Sequence, residues 1–516
     1  MQAADTTKII ENGIVATGDG QNRIGPYTVL IRNDRVVDVA NYSQPLKNQD
    51  PNAEIIDAKG KILLPGFVDA HYHGESFLLR HIIGTTPMAR WERDRRFTTA
   101  CTYLNRDATR EDFDSLYRIA YFNALKAGIT CIADFGLDNL DFLPTAGFEA
   151  MKRAELKGYV GLHNGDQIER SRGLTTPSIR YGVTVSGEDE LTTYSLQTAL
   201  RSADELKIPL MLHLGETRRG FESIMKNFRR SVLQLLNEYR LFNLRVQLAH
   251  CSILEGEDID ILAGAKVPVI VCPSSALLKE VDIPPVSDFL AHGIPIALGS
   301  DWGGVDPFMN IRSLASLLRN QGRSIPGAFE LLAMSTRNGA HALGFLDELG
   351  TIESGKKADI TFVDVSDTRR GFALNSAQYT QLLHSVLLEC SARDVSDVMI
   401  NGNFYVRRGT VLTYSEEDLL ADGTRLLATL LGRAGQKDLP DTGMPPEREA
   451  AILDFRPLQS GEEEEEEGAS GEGFRIIGKD GANGESHQKI VPIRTETDKP
   501  ADPPRTIRKV FGEDDV

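Results

Sequence analysis

From residue 1 to 65 apolar and polar positions alternate with a period of two. KIIENGIVATG, YTVLIRNDRVVDVA and AEIIDAKGKILLP read as half-buried strands, with Asn33-Asp34 at a turn. The texture returns in ADITFVDV (358–365) and VSDVMINGNFYVRRGTVL (395–412). There Asn401-Gly402, set between two apolar runs, predicts a type I′ hairpin. The two ends of the chain, 1–65 and 351–415, are therefore expected to build one small β-sandwich domain with the rest inserted between them.

The pattern changes across 66–350. Eight apolar runs stand out: FVDAH (67–71), ITCIADF (129–135), GYVGLH (158–163), IRYGVTV (179–185), PLMLHLGE (209–216), VQLAHCS (246–252), PVIVCPSS (268–275) and PIALGSD (295–301). Amphipathic stretches such as DFDSLYRIAYFNALKAG lie between them. Eight βα units in this length are the content of an α/β TIM barrel. A doubly wound open sheet is the alternative, and no GxGxxG or Walker-type loop supports it. A helical extension is expected over 416–459. Residues 460–516 open with the run Glu462–Glu467 and hold 15 acidic against 8 basic residues, which predicts a disordered, solubilising tail.

Composition narrows the function. The 516 residues carry 57 Lys+Arg and 74 Asp+Glu, a net charge of −17, which argues against binding to nucleic-acid phosphates. No apolar run reaches the ~18 residues that span a bilayer, and the first residues lack a signal-peptide pattern. Five cysteines (Cys101, Cys131, Cys251, Cys272 and Cys390) are too few and too scattered for a disulfide framework or a zinc knuckle. Cys251 and Cys272 read as small buried hydrophobes. A cytoplasmic protein acting on a small molecule, without membrane or nucleic-acid partners, is the expectation.

Metal-capable residues recur at the C-terminal ends of the predicted strands. His71 and His73 end the first, His213 with Glu216 the fifth, His250 the sixth and Asp301 the eighth. In a barrel these ends share one face. Residues i and i+2 of a strand point to one side, so His71 and His73 can meet one ion. Alone, each of these residues reads more readily as a structural one; together they point to a shared site for a divalent ion such as Zn2+ or, alternatively, Fe2+. Glu216 reads as a proton carrier or as an ion-pair partner of Arg218 or Arg219. His163 and Trp302 read as substrate contacts or as packing residues.

LLPGFVDAHYH, HLGE, LAHCSI, CPSSALL and ALGSDWGG, in this order, resemble the amidohydrolase superfamily, and within it the mononuclear cytosine/guanine deaminase and triazine hydrolase branch. The resemblance covers about residues 7–415 and extends to STRNGAHALGF and LGTIESGKKADITFVDV. It implies that His71, His73, His213 and Asp301 bind one metal ion, since the fourth strand, SIRYGVTVS, lacks the lysine that bridges two ions in binuclear relatives. It also implies that Asp301 takes a proton from water, that Glu216 shuttles protons from a carboxyl raised by apolar surroundings, and that His250 steadies the attacking oxygen. The implied reaction is deamination of a heterocyclic or amidine-bearing molecule. Cleavage of a cyclic amide or C–Cl bond is the alternative, and a silent binding scaffold a further one. Similar enzymes are often homo-oligomers. Where the branch carries a PHAPYT-like segment this chain has Ile179–Thr184, so Arg180 or Tyr181 is expected near the missing histidine, at the substrate rim.

Overall fold

A computed structural model describes residues 6–41, 51–136, 143–185, 187–188, 191–240, 242, 245–367 and 378–434. The acidic stretch 460–516 and the later part of the expected helical extension lie outside them. Seven strands come first: Thr7–Glu11 (β1), Ile14–Ala16 (β2), Ile24–Gly25 (β3), Thr28–Arg32 (β4), Arg35–Ala40 (β5), Glu54–Asp57 (β6) and Lys61–Pro65 (β7). Four more follow late: Ile360–Asp364 (β16), Val395–Ile400 (β17), Asn403–Arg407 (β18) and Thr410–Val411 (β19). They form a four-stranded sheet, β5-β4-β1-β6, and a seven-stranded sheet, β19-β18-β17-β16-β7-β2-β3, in which both ends of the chain meet. Apolar side chains of both sheets, among them Ile10, Val29, Leu63, Ile360, Phe362 and Met399, share one core. Asn401 and Gly402 both take positive φ, 50° and 74°, as the type I′ turn requires.

Between these parts lie Phe67–Tyr72 (β8), Ile129–Asp134 (β9), Lys157–Leu162 (β10), Ile179–Val185 (β11), Leu210–Leu214 (β12), Val246–His250 (β13), Val269–Val271 (β14) and Ile296–Leu298 (β15). They pair in parallel and in sequence order, with helices between them. A parallel bridge between Tyr72 and Asp301 joins the last strand's exit to the first strand, so the expected TIM barrel is the observed one. Small and apolar residues such as Val68, Cys131, Ala133, Met211 and Ala249 fill the interior. β14 is short because Pro273, directly after Cys272, starts the helix Pro273–Lys279.

After β8 the chain forms a 3-10 turn, Met88–Arg93, and a helix, Arg95–Arg106, whose N-cap Asp94 accepts the N–H groups of Arg96 and Phe97. The helix Glu416–Ala434 joins the next helix, Arg110–Lys126, through Arg425–Asp112 (3.0 Å) and Arg118–Asp422 (2.8 Å). Among the described residues no helix is long and apolar enough to cross a membrane.

Candidate metal centre and active site

β8 delivers His71 and His73 to the barrel mouth. A register shift between Asp69 and Tyr72 in the pairing with β9 marks the irregular backbone there. His213 arrives near the end of β12 and His250 at the end of β13. Asp301 follows β15, where its N–H donates to the His71 carbonyl at 2.9 Å. His250, Cys251 and Asp301 all hold positive φ (70°, 50° and 48°), a conformation that costs roughly 1–3 kcal/mol per residue and persists where its surroundings enforce it.

The predicted ligands converge. Ligand atoms of His71, His73 and His213 lie within 4.8 Å of one another, as do those of His71, His250 and Asp301. His73 Nε2 stands 3.1 Å from His213 Nε2. Asp301 Oδ1 is 3.5 Å from His71 Nε2 and 3.6 Å from His73 Nε2. Ligands about 2.0–2.1 Å from a tetrahedral ion stand roughly 3.3–3.4 Å apart, so these spacings fit one divalent cation. His71 Nε2, Asp301 Oδ1 and His250 Nε2 are buried without a hydrogen-bond partner, a costly state that a bound ion or substrate would relieve. Imidazole and carboxylate donors without thiolate suit Zn2+ or Fe2+.

Electrostatics favour the ligating forms of His71, His213 and Asp301. Burial pushes His71 down to about 3 and His213 well below its ordinary value, so both rings are neutral at pH 7. His73 is also buried, but Glu75 outweighs the burial and raises it. Its Nδ1–H donates to Glu75 Oε1 at 2.9 Å, which leaves Nε2 for the cluster. For Asp301 burial alone would raise the carboxyl. The charge of Lys279 is the largest of the influences that hold it well below the usual carboxylate range.

Glu75, Trp91, Phe97 and a lysine at this centre escaped the sequence reading. Lys279, last in its helix, donates to Asp301 Oδ2 at 2.5 Å and to Glu216 Oε1 at 2.6 Å. It corrects the expected state of Glu216. Burial would raise that carboxyl, as foreseen, but His250 and Lys279 outweigh burial and lower it. Glu216 Oε2 faces His250 Nε2 at 3.8 Å. The proposed partner Arg218 pairs instead with Asp282 (3.8 Å), and Arg219 with Glu92 (3.3 Å).

Trp302 is buried beside the cluster, its ring centroid 6.4 Å from that of His73. Trp91 and Phe97, from the segment after β8, pack on it at 4.7 and 5.8 Å. His163 Nε2–H donates to the carbonyl of Phe135, whose ring lies 4.0 Å from that of His71. A cavity of about 300 Å³ opens beside His163, lined also by Val183, Thr184, Val185, Leu191 and Tyr194.

Arg180 and Tyr181 are not brought to this face. They stand at the start of β11, opposite Tyr159 and Val160 of β10, at the end of the barrel remote from the histidines. The Arg180 guanidinium stacks on Phe345 at 4.3 Å and its Nε–H donates to Pro177 O at 3.0 Å. The expectation failed because the strand runs on to Val185, so the residues at its C-terminal end are Val183–Val185.

A family described as the amidohydrolase family matches residues 62–405. A 5-methylthioadenosine/S-adenosylhomocysteine deaminase from Moorella thermoacetica is 30% identical over 391 residues, 72% of this chain and 88% of that protein. A 5'-deoxyadenosine deaminase from Methanothermobacter thermautotrophicus is 25% identical, over 78% of this chain and 95% of its own. Among solved structures, an adenosine deaminase from Xanthomonas campestris with bound zinc superposes with a TM-score of 0.72 at 22% identity, covering 82% of this chain and 98% of that one.

Proposed function

The chain belongs to the amidohydrolase family, and from that premise we propose that it is a metal-dependent deaminase of adenosine-like small molecules. One observation carries the reading: His71, His73 and His213 bring ligand atoms within 4.8 Å of one another, and Asp301 Oδ1 stands 3.5 and 3.6 Å from the first two, although the residues come from three separate strand ends of the barrel. The relatives named as deaminases of 5'-substituted adenosines supply the substrate class. The aromatic wall of Trp302, Trp91 and Phe97 suits a flat heterocycle.

A divalent ion held by these four residues, Zn2+ on this reading and Fe2+ otherwise, would lower the pKa of water from 15.7 toward ~7 and so would supply hydroxide at neutral pH. Asp301 Oδ1, which has no hydrogen-bond partner, is the oxygen placed to take a proton from that water. Glu216, ionised beside Lys279, would take up through Oε2 a proton released by the water, carry it to the ring nitrogen beside the attacked carbon, and then carry the water's second proton to the leaving amine. His250 Nε2 is placed to hydrogen-bond the oxygen arriving on that carbon. Water adds across the C=N bond, the C–NH2 bond breaks, and ammonia leaves a carbonyl product.

The remaining features belong to the same proposal. They are a cytoplasmic homo-oligomer, one ion per subunit, and no nucleic-acid partner for a chain of net charge −17. The test is ammonia release by zinc- and iron-loaded protein from adenosine, 5'-methylthioadenosine, S-adenosylhomocysteine and 5'-deoxyadenosine, with guanine, cytosine and chlorotriazines alongside. Metal-dependent ammonia from an adenosine is expected, and Asp301→Asn should lose both ion and turnover. Chloride or a ring-opened product without ammonia would move the chain to the amide or C–Cl hydrolases. One tightly bound ion with no turnover of any of these would overturn the deaminase reading.

A further inference from the structure

We propose that Lys279 is a positioning residue that clamps Glu216 to Asp301 by their outer oxygens and so presents one oxygen of each carboxylate to the reaction. The proposal rests on the reading of the site given above. Lys279 is 3% exposed, and a buried ammonium is tolerated only where anions and acceptors surround it. Its two carboxylate partners belong to different strand ends, β12 and β15, and no other described cation bridges them.

The oxygens divide evenly. Asp301 Oδ2 accepts from Lys279 and from the Ser275 hydroxyl at 2.7 Å, while Oδ1 is turned to His71 and His73. Glu216 Oε1 accepts from Lys279, while Oε2 is turned to His250. The ammonium therefore lies behind the carboxylates and does not stand among the imidazoles. Two consequences follow. Asp301 is restricted to a single ligating oxygen, because its other oxygen is held by two donors. Glu216 is fixed in one rotamer despite the repulsion of a second carboxylate, so its proton-carrying oxygen meets the substrate without a search. Misplacement of such a group by about 1 Å can cost on the order of 100-fold in rate.

Lys279→Met keeps most of the side-chain length and removes its donors. Loaded with Co2+, the variant is expected to bind one ion per subunit with a weaker visible d–d absorption than the unaltered protein, because Asp301 gains a second ligating oxygen and the coordination number rises. With an adenosine substrate and zinc, kcat should fall about 100-fold while KM stays within about three-fold. In a Glu216→Gln background the same change should lower kcat less than about three-fold further, since the residue it positions is already disabled. An unchanged cobalt spectrum with kcat within three-fold overturns the proposal. So does loss of the ion itself, which would assign Lys279 to building the metal site. Should Lys279→Met fail to fold, Lys279→Gln, with shorter reach and no charge, is read by the same criteria. If the unaltered protein turns over no adenosine, the function proposed above fails, while the cobalt spectrum still decides the role of Lys279.

Discussion

Gly299 faces His71 across the seam that closes the barrel: a β-carbon at residue 299 would stand 2.8 Å from both the Cβ and the carbonyl oxygen of His71. That carbonyl also receives the Asp301 N–H, so the absence of a side chain at Gly299 lets two ligand-bearing segments approach.

Replacing Gly299 by alanine should push the seam apart. Overpacking of this kind costs about 1–3 kcal/mol. Calorimetry should show a lower Tm, and elemental analysis less than one ion per subunit. A Tm and ion content equal to those of the unaltered protein would show that the seam has slack.

Glu75 orients His73 without touching the ion's place. Glu75→Gln is expected to weaken ion affinity by about 10–100-fold, the usual effect of removing such a partner, with the fold intact. Competition with a chelator measures it. An unchanged affinity would mean that packing alone sets the ring.

Glu216 stands outside the ligand set. Glu216→Gln should retain one ion per subunit and lower kcat by about 10²–10⁴-fold, the range for general acid–base groups. Near-normal kcat would remove it from the proton path.

The seam between the chain's two ends carries a pH signature. Lys61 Nζ of β7 donates to Asp397 Oδ2 of β17 at 2.5 Å. Burial would raise the Asp397 carboxyl, but its hydrogen bonds to Lys61 and Ser396 and the charge of Lys61 hold it below its ordinary 3.8. With a folded value below the unfolded one, the stabilisation is fully present above about pH 4 and is lost as pH falls through the folded value. Asp397→Asn should therefore destabilise the protein by about 1–3 kcal/mol at pH 7 and much less near pH 2. Denaturant midpoints at the two pH values test this, and equal losses at both would contradict it.

Much of the site was legible because its spacing is short-range or periodic. The His71-x-His73 pair needs only strand alternation to share one side, and the apolar runs before His213, His250 and Asp301 place those residues at strand ends. Lys279 was not legible. It meets Asp301 through a helix of under two turns whose exit angle no periodicity records, and in sequence CPSSALLK is a plain apolar stretch with a terminal charge. The Pro273 that starts the helix was the available signal. Trp91 and Phe97 were hidden for a similar reason. Their segment, WERDRRFTT, is dominated by charged residues and shows no apolar periodicity, yet Trp91 and Phe97 from it pack on Trp302. Arg180 and Tyr181 were misplaced by setting Ile179–Thr184 against the branch's PHAPYT-like segment, although these two residues stand at the start of the strand and Val185 closes it.

β7 passes into β8 through Gly66 alone, and every residue of β7 from Lys61 to Pro65 pairs with one of β16, from Asp364 back to Ile360. During synthesis the strand bearing His71 and His73 leaves the ribosome early, while the neighbour that anchors its root is made after all eight barrel strands. A nascent chain halted before β16 would thus carry every proposed ligand while β7, at the foot of the first barrel strand, keeps only its pairing with β2.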